Sequence, residues 1–145
     1  VTEIEVPRGI VRPWAADALR VLLAADDADD ALAVVEMELA AGSAGPPLHV
    51  HPTHGEGFYV LAGEMTFQLG HEVVAAVRGA WAFAPRHTPH TLANFGAVPA
   101  RLLCVFAPGG FERRFERMLA GSDLASSAAE RATRMVGPPL SRLAE

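Results

Sequence analysis

Through most of the chain, apolar and polar residues alternate with a period of two. In ALAVVEMEL (Ala31 to Leu39), Val35, Met37 and Leu39 oppose Glu36 and Glu38, the pattern of a half-buried strand. Glu56, Phe58 and Val60 share one face of a run that continues to Ala62. Gly63-Glu64 and Gly70-His71 read as hairpin turns flanking Met65 to Leu69, and Glu72 to Val77 returns. Ala80 to Ala84, Thr91 to Phe95 and Ala100 to Ala107 extend the series. With Leu19 to Leu23 and the stretch around His49, this gives about nine short strands punctuated by Gly and Pro, which predicts a sandwich or barrel. DDADD (Asp26 to Asp30) is read as an exposed turn between two strands, with a cation site as the alternative. AGSAGPP is read as a flexible turn into the strand of His49.

The ends differ. Residues 1 to 18 mix Pro7, Gly9 and Pro13 with Ile10, Val11 and Trp14, an arm or edge strand and not a helix. After Pro108-Gly109-Gly110, the apolar residues Phe111, Phe115, Met118 and Leu119 fall at helical spacing. A second helix is expected from about Ala125 to Met135, capped by Ser122 or Asp123 and stopped by Gly137-Pro138-Pro139. The expected division is a barrel with its arm over 1–110 and a helical extension of the same domain over 111–145. Arg113, Arg114 and Arg117 are expected on the solvated face of the first helix, with an anion or partner site as the alternative.

Composition narrows the function classes. At 145 residues the chain suits a single domain with a genuine core. No apolar run approaches the ~20 residues needed to cross a bilayer, and no basic-then-apolar leader opens the sequence as given. A net charge of −5 argues against a nucleic-acid surface. Every basic residue is Arg, so no lysine is available for Schiff-base chemistry. The one cysteine, Cys104, excludes an internal disulfide and fits a reducing cytoplasm.

Candidate chemistry is concentrated between His49 and Asn94. His49 and His51 are one residue apart, so in a strand both imidazoles point the same way. Glu56 follows a bend at Pro52 to Gly55 that can swing its carboxylate back towards the rings, and His90 arrives after Pro85 and Pro89. Three imidazoles and one carboxylate suit one divalent transition ion: Fe, Mn, Ni or Zn. Four protein ligands would saturate a tetrahedral zinc, whereas an octahedral ion would keep two positions for water, substrate or O₂. Glu56 is the first candidate for a catalytic base and His54 the reserve, although a loop position also fits His54 as a surface residue. His87 is a candidate for the mouth of the site, and His71, at a hairpin turn, is expected in solvent. Phe58, Val60, Phe67 and Phe83 form the expected apolar wall, or equally ordinary core.

The two blocks resemble the two sequence motifs of the cupin superfamily. His49-x-His51, four residues, Glu56, six residues and Gly63 match the first, while Gly79, five residues, Pro85, then His90 and Asn94 match the second. Ser43 stands where the first motif opens on glycine, and His87 where a glycine usually lies between the proline and the histidine. The resemblance implies an all-β, cupin-type double-stranded β-helix (a jelly-roll barrel), here with one or two C-terminal helices, and a metal at its centre. It further implies a small-molecule substrate or ligand. Within the superfamily, similarity to small quercetin dioxygenase-like members points to a metal-dependent oxidoreductase acting on an aromatic or enolisable compound, with a non-catalytic small-molecule or metal-binding protein as the alternative. In such proteins the N-terminal arm often crosses to a partner subunit, so a homodimer is expected.

Overall fold

The computed structural model describes residues 9–121 and 124–142. Its strands are β1 (Leu19–Leu23), β2 (Ala33–Leu39), β3 (Ser43–Ala44), β4 (Pro47–Val50), β5 (Gly55–Ala62), β6 (Glu64–Leu69), β7 (Glu72–Val77), β8 (Trp81–Ala84), β9 (His90–Asn94), β10 (Ala100–Ala107) and β11 (Arg134–Pro139). Two helices, α1 (Arg113–Ala120) and α2 (Ala128–Ala132), precede β11. One antiparallel sheet runs β1-β2-β10-β5-β8; the other runs β11-β4-β9-β6-β7, with β3 also paired to β9. The tight β5–β6 turn passes from one sheet to the other. It is closed by Gly63 at φ 74°, where a side chain would also press to 2.7 Å from the Pro99 carbonyl oxygen.

The inward faces of the two sheets meet in a core of Val35, Phe58, Val60, Met65, Phe67, Leu102 and Phe106. Removing each large side chain from water stabilises the fold by roughly 1.5–3 kcal/mol. The alternation anticipated in β5 holds: Glu56, Phe58 and Val60 are all buried. Glu36 departs from simple alternation. Although it faces outward it is only 8% exposed, because Arg101 (2.7 Å) and Arg20 (3.4 Å) close over its carboxylate. The acidic run forms a one-turn 3-10 helix (Ala25–Ala28), followed by Asp29 and Asp30 in left-handed conformation, between β1 and β2.

Three expectations change. Phe83 does not line the interior. The β5–β8 register sets Gly57 opposite Phe83 and Glu56 opposite Ala84, so the alanines of β8 face in while Trp81 and Phe83 face out. AGSAGPP contains the short strand β3, paired with β9. The second helix is only five residues long and is followed by a strand. Its cap is Ser127, in a reciprocal box with Glu130. Ser122 and Asp123, the expected caps, lie outside the described residues, as does Pro7 of the arm. Arg134 and Met135 instead pair with Val50 and His49. The edge of β4 would otherwise carry unpaired backbone groups, and Val136 to Pro139 are poor helix formers.

Candidate metal centre

His49 lies on β4 directly opposite His90 on β9, and His51 follows the end of β4 on the same face. Glu56 reaches in from β5 of the opposing sheet. All four are buried, and one potential ligand atom from each lies within 4.8 Å of the others. The ring centroids are 4.5 Å apart for His49–His90, 4.8 Å for His49–His51 and 5.0 Å for His51–His90. Residues 41 positions apart in sequence thus converge because the barrel is narrow.

The hydrogen bonds fix where the ring protons sit. His49 Nδ1–H donates to the Pro47 carbonyl (2.8 Å) and His90 Nδ1–H to the Thr88 carbonyl (2.9 Å), since a carbonyl can only accept. His51 Nδ1 lies 2.8 Å from the Thr133 hydroxyl, which spends its own proton on the Ala129 carbonyl (2.9 Å) and therefore also accepts. All three rings thus carry their Nδ1 proton outward, leaving Nε2 for the interior. Such outer partners fix the tautomer and orientation of metal-binding imidazoles. His51 Nε2 is buried with no aligned hydrogen-bond partner, although Glu56 Oε2 lies 3.2 Å away. An orphaned ring nitrogen beside a carboxylate and two further imidazoles fits a divalent cation.

Without an ion, the charge is balanced internally. His90 Nε2 lies 2.9 Å from Glu56 Oε2. Burial pushes the Glu56 carboxyl up, but the close imidazoles of His51 and His90, the latter hydrogen-bonded to it, outweigh burial and hold the group at about 2. Burial likewise works against a charged His90, yet the bond to Glu56 and its negative charge raise its proton affinity. Burial lowers His49 to about 4. A divalent ion would replace the shared proton between Glu56 and His90 with two positive charges.

The other histidines separate. His54 is not on the surface: it is 1% exposed, stacked on His51 at 4.3 Å, with Nδ1 2.7 Å from the Thr53 hydroxyl and Nε2 without a partner. Burial lowers it to about 4. Phe106 and Phe111 enclose its ring, the latter from the C-terminal segment. His87 is exposed, does not border the cavity described below, and occupies the left-handed region (φ 68°). This explains why glycine suits that position. His71 is exposed, as expected. Thr133 escaped the sequence reading. A hydroxyl 82 residues from His51, in a stretch read as helix, carries no local signal.

A cavity of about 380 Å³ opens onto the cluster, with His49 and Glu56 at its inner end. Its body is apolar: Met37, Leu39, Phe58, Leu92 and Phe115. Residues of α1 and β11, including Arg114, Met118 and Met135, form its solvent side.

Comparison with known proteins agrees with this arrangement. The family model described as "Cupin domain" matches residues 35–106, a span that holds all four clustered residues and the strands that carry them. The chain belongs to the cupin superfamily. Among solved cupin-like structures, a protein from Thermotoga maritima described as a predicted oxalate decarboxylase superposes with a TM-score of 0.59 at 25% identity, covering 62% of this chain and 78% of that one. The DMSP lyase DddQ from Ruegeria pomeroyi gives 0.53 at 28% identity, over 62% of this cupin and 46% of the lyase. The polyketide cyclase RemF from Streptomyces resistomycificus gives 0.54 at 26%, over 61% and 63%. An uncharacterized protein of Methanocaldococcus jannaschii is 36% identical over 61 residues, or 42% of this cupin, which spans about half (49%) of that relative's length.

Proposed function

We propose that this cupin is a metal-dependent enzyme, dioxygenase-like, acting on an aromatic or enolisable small molecule. His49, His51, Glu56 and His90 would hold the ion, which is Fe, Mn, Ni or Zn by donor type. The observation that carries the reading is the double position of Glu56, within the buried donor cluster and on the wall of an apolar cavity. When bound, the ion supplies Lewis acidity, stabilising negative charge on an ionised substrate oxygen. The chain's own residues do the rest. Phe58 and Leu92 exclude water beside the reacting end, and Glu56 accepts the proton the substrate must lose.

Glu56 is a poor base while His90 Nε2 bonds to it and the His51 ring lies against it. With those nitrogens committed to a cation that stabilisation would be gone and burial would raise its proton affinity, against the opposing charge of the ion. His54, behind His51 with a free Nε2, is the second candidate acceptor. The three named neighbours differ in reaction, so their likeness supports the scaffold and leaves the chemistry to assay.

The test is elemental analysis of protein purified without added metal, then oxygen uptake with catechols, flavonols and β-diketones. We expect about one ion per chain and oxygen consumption with one of these classes. Glu56→Gln should keep much of its metal and lose turnover by about a hundredfold or more, the scale of a general base. Metal content without oxygen consumption would favour the alternative, a non-catalytic small-molecule or metal-binding cupin.

We further infer a homodimer from the outward aromatic group on the β5–β8 edge, Tyr59, Trp81 and Phe83, and from Ile10, Val11 and Trp14 exposed in the arm. Among the described residues, no helix is long and apolar enough to cross a membrane. With the lone, buried Cys104, a reducing cytoplasm is the proposed setting.

A further inference from the structure

Three charged side chains other than the ring donors border the cavity: Glu56, Glu130 and Arg114. Glu56 belongs to the donor cluster. Glu130 is already neutralised, with Arg117 at 2.7 Å from one oxygen and the Ser127 backbone N–H at 2.7 Å from the other. Arg114 differs from both. It has no acidic partner and no side-chain hydrogen bond among the described residues. Of its neighbours on α1, Arg117 is held by Glu130, and Arg113 does not border the cavity. Arg114 also faces a second, shallower depression, which it shares with Arg117, Met118 and Gly121. The result is a guanidinium with no partner among the described residues, on the solvent side of an apolar cavity whose inner end holds the candidate metal cluster.

We propose that the cavity selects organic anions: an apolar, aromatic-sized body seated against Phe58, Leu92 and Phe115, with a carboxylate or sulfonate at its outer end held by Arg114. This rests on the reading of the cavity as the small-molecule site and adds the charge of the molecule and the residue that senses it. The physical basis is twofold. A guanidinium offers a planar fork of donors that matches a carboxylate in two parallel bonds. In addition, the chain as a whole is acidic, at −5, so an anion gains from approaching it only where a cation is locally free. A cavity of about 380 Å³ lies within the range that encloses a drug-sized ligand.

The experiment uses metal-free full-length protein, so its outcome does not depend on the metal reading. Fluorescence titration compares anilinonaphthalene sulfonate with N-phenylnaphthylamine, the same ring system without the charge. We expect the sulfonate to bind about tenfold or more tighter, the scale of a charged hydrogen bond. Arg114→Met should abolish that preference and leave the affinity for the neutral probe unchanged, Arg114→Lys should keep part of it, and Arg113→Met should not alter it. Equal affinity for the two probes, or a preference that survives in Arg114→Met, would overturn the anion proposal while leaving the cavity reading intact. If neither probe binds, both readings are overturned.

Discussion

Thr133 is the residue on which the orientation of His51 depends. Its hydroxyl accepts from His51 Nδ1 and is itself anchored to the Ala129 carbonyl. Thr133→Val keeps the shape and removes the acceptor, so metal affinity should fall by about ten- to a hundredfold, the usual cost of losing such a partner. Thr133→Ser should restore it. Titration of the apoprotein with Co(II) reads this directly, and equal affinity in Thr133→Val would mean that packing alone orients the ring. The buried rings also make a pH prediction for the metal-free protein. His49 and His54 are lowered to about 4 in the fold, so between that value and their ordinary 6.5 the unfolded chain binds more protons. Stability should therefore decline as pH falls through this window. His90, raised by Glu56, acts in the opposite sense: its contribution is full below 6.5 and fades as pH rises through its folded value. The contribution of Glu56 is lost only between about 4.5 and about 2. Melting temperature in chelator should fall as pH drops from 6.5 to 4, and fall less steeply in His54→Phe, which keeps the stacking and leaves the His49 contribution in place. An identical slope in that variant would show that His54 titrates normally.

At the scale of elements, the strands were legible because alternation and Gly/Pro punctuation are local signals. β7 and β10 coincide with their expected spans; His49 and His51 were identifiable from strand parity, Glu56 from the bend before it, and His90 from its place after Pro85 and Pro89 in the second motif. Phe83 was misplaced because parity says that neighbours alternate but not which face is inside. That depends on the β5–β8 register, for which Gly55 and Gly57, leaving room beneath Phe83 and Trp81, were the available clue. β11 was illegible for a different reason: it exists because β4 offers it an edge 84 residues earlier, a contact without local trace. Gly45, between β3 and β4, is another such case. A side chain there would lie 1.7 Å from the Leu92 carbonyl oxygen. Backbone must move to admit it, so Gly45→Ala should destabilise by about 1–3 kcal/mol, the scale of overpacking. A urea midpoint equal to wild type would show that the β3–β4 link can slide off β9.

At the scale of the whole molecule, the outer surface of the barrel is divided by chemistry. Towards β1 and β2 the outward face of the first sheet carries Glu36 clasped by Arg20 and Arg101, a charge cluster that needs no partner. Towards β8 the same sheet carries Tyr59 (40% exposed), Trp81 (55%) and Phe83 (49%), lying beside glycines that let the rings settle onto the backbone. Large aromatics gathered at one sheet edge cost solvation in a monomer and mark contact surfaces. β8 is also an edge strand, whose free backbone groups natural proteins seldom leave bare beside exposed aromatics. Both arguments converge on self-association through this edge, and a two-fold pairing would bury the same patch on each copy. Light scattering at micromolar concentration should give about twice the chain mass for the wild type. Trp81→Arg with Phe83→Arg should give the monomer mass, because like charges would then face each other across the axis. These side chains point away from the barrel interior, so the double variant should retain the wild-type metal stoichiometry. A monomeric wild type would remove the proposal, and a double variant that stays dimeric would move the interface elsewhere, with the exposed arm residues Ile10, Val11 and Trp14 as the next surface to substitute.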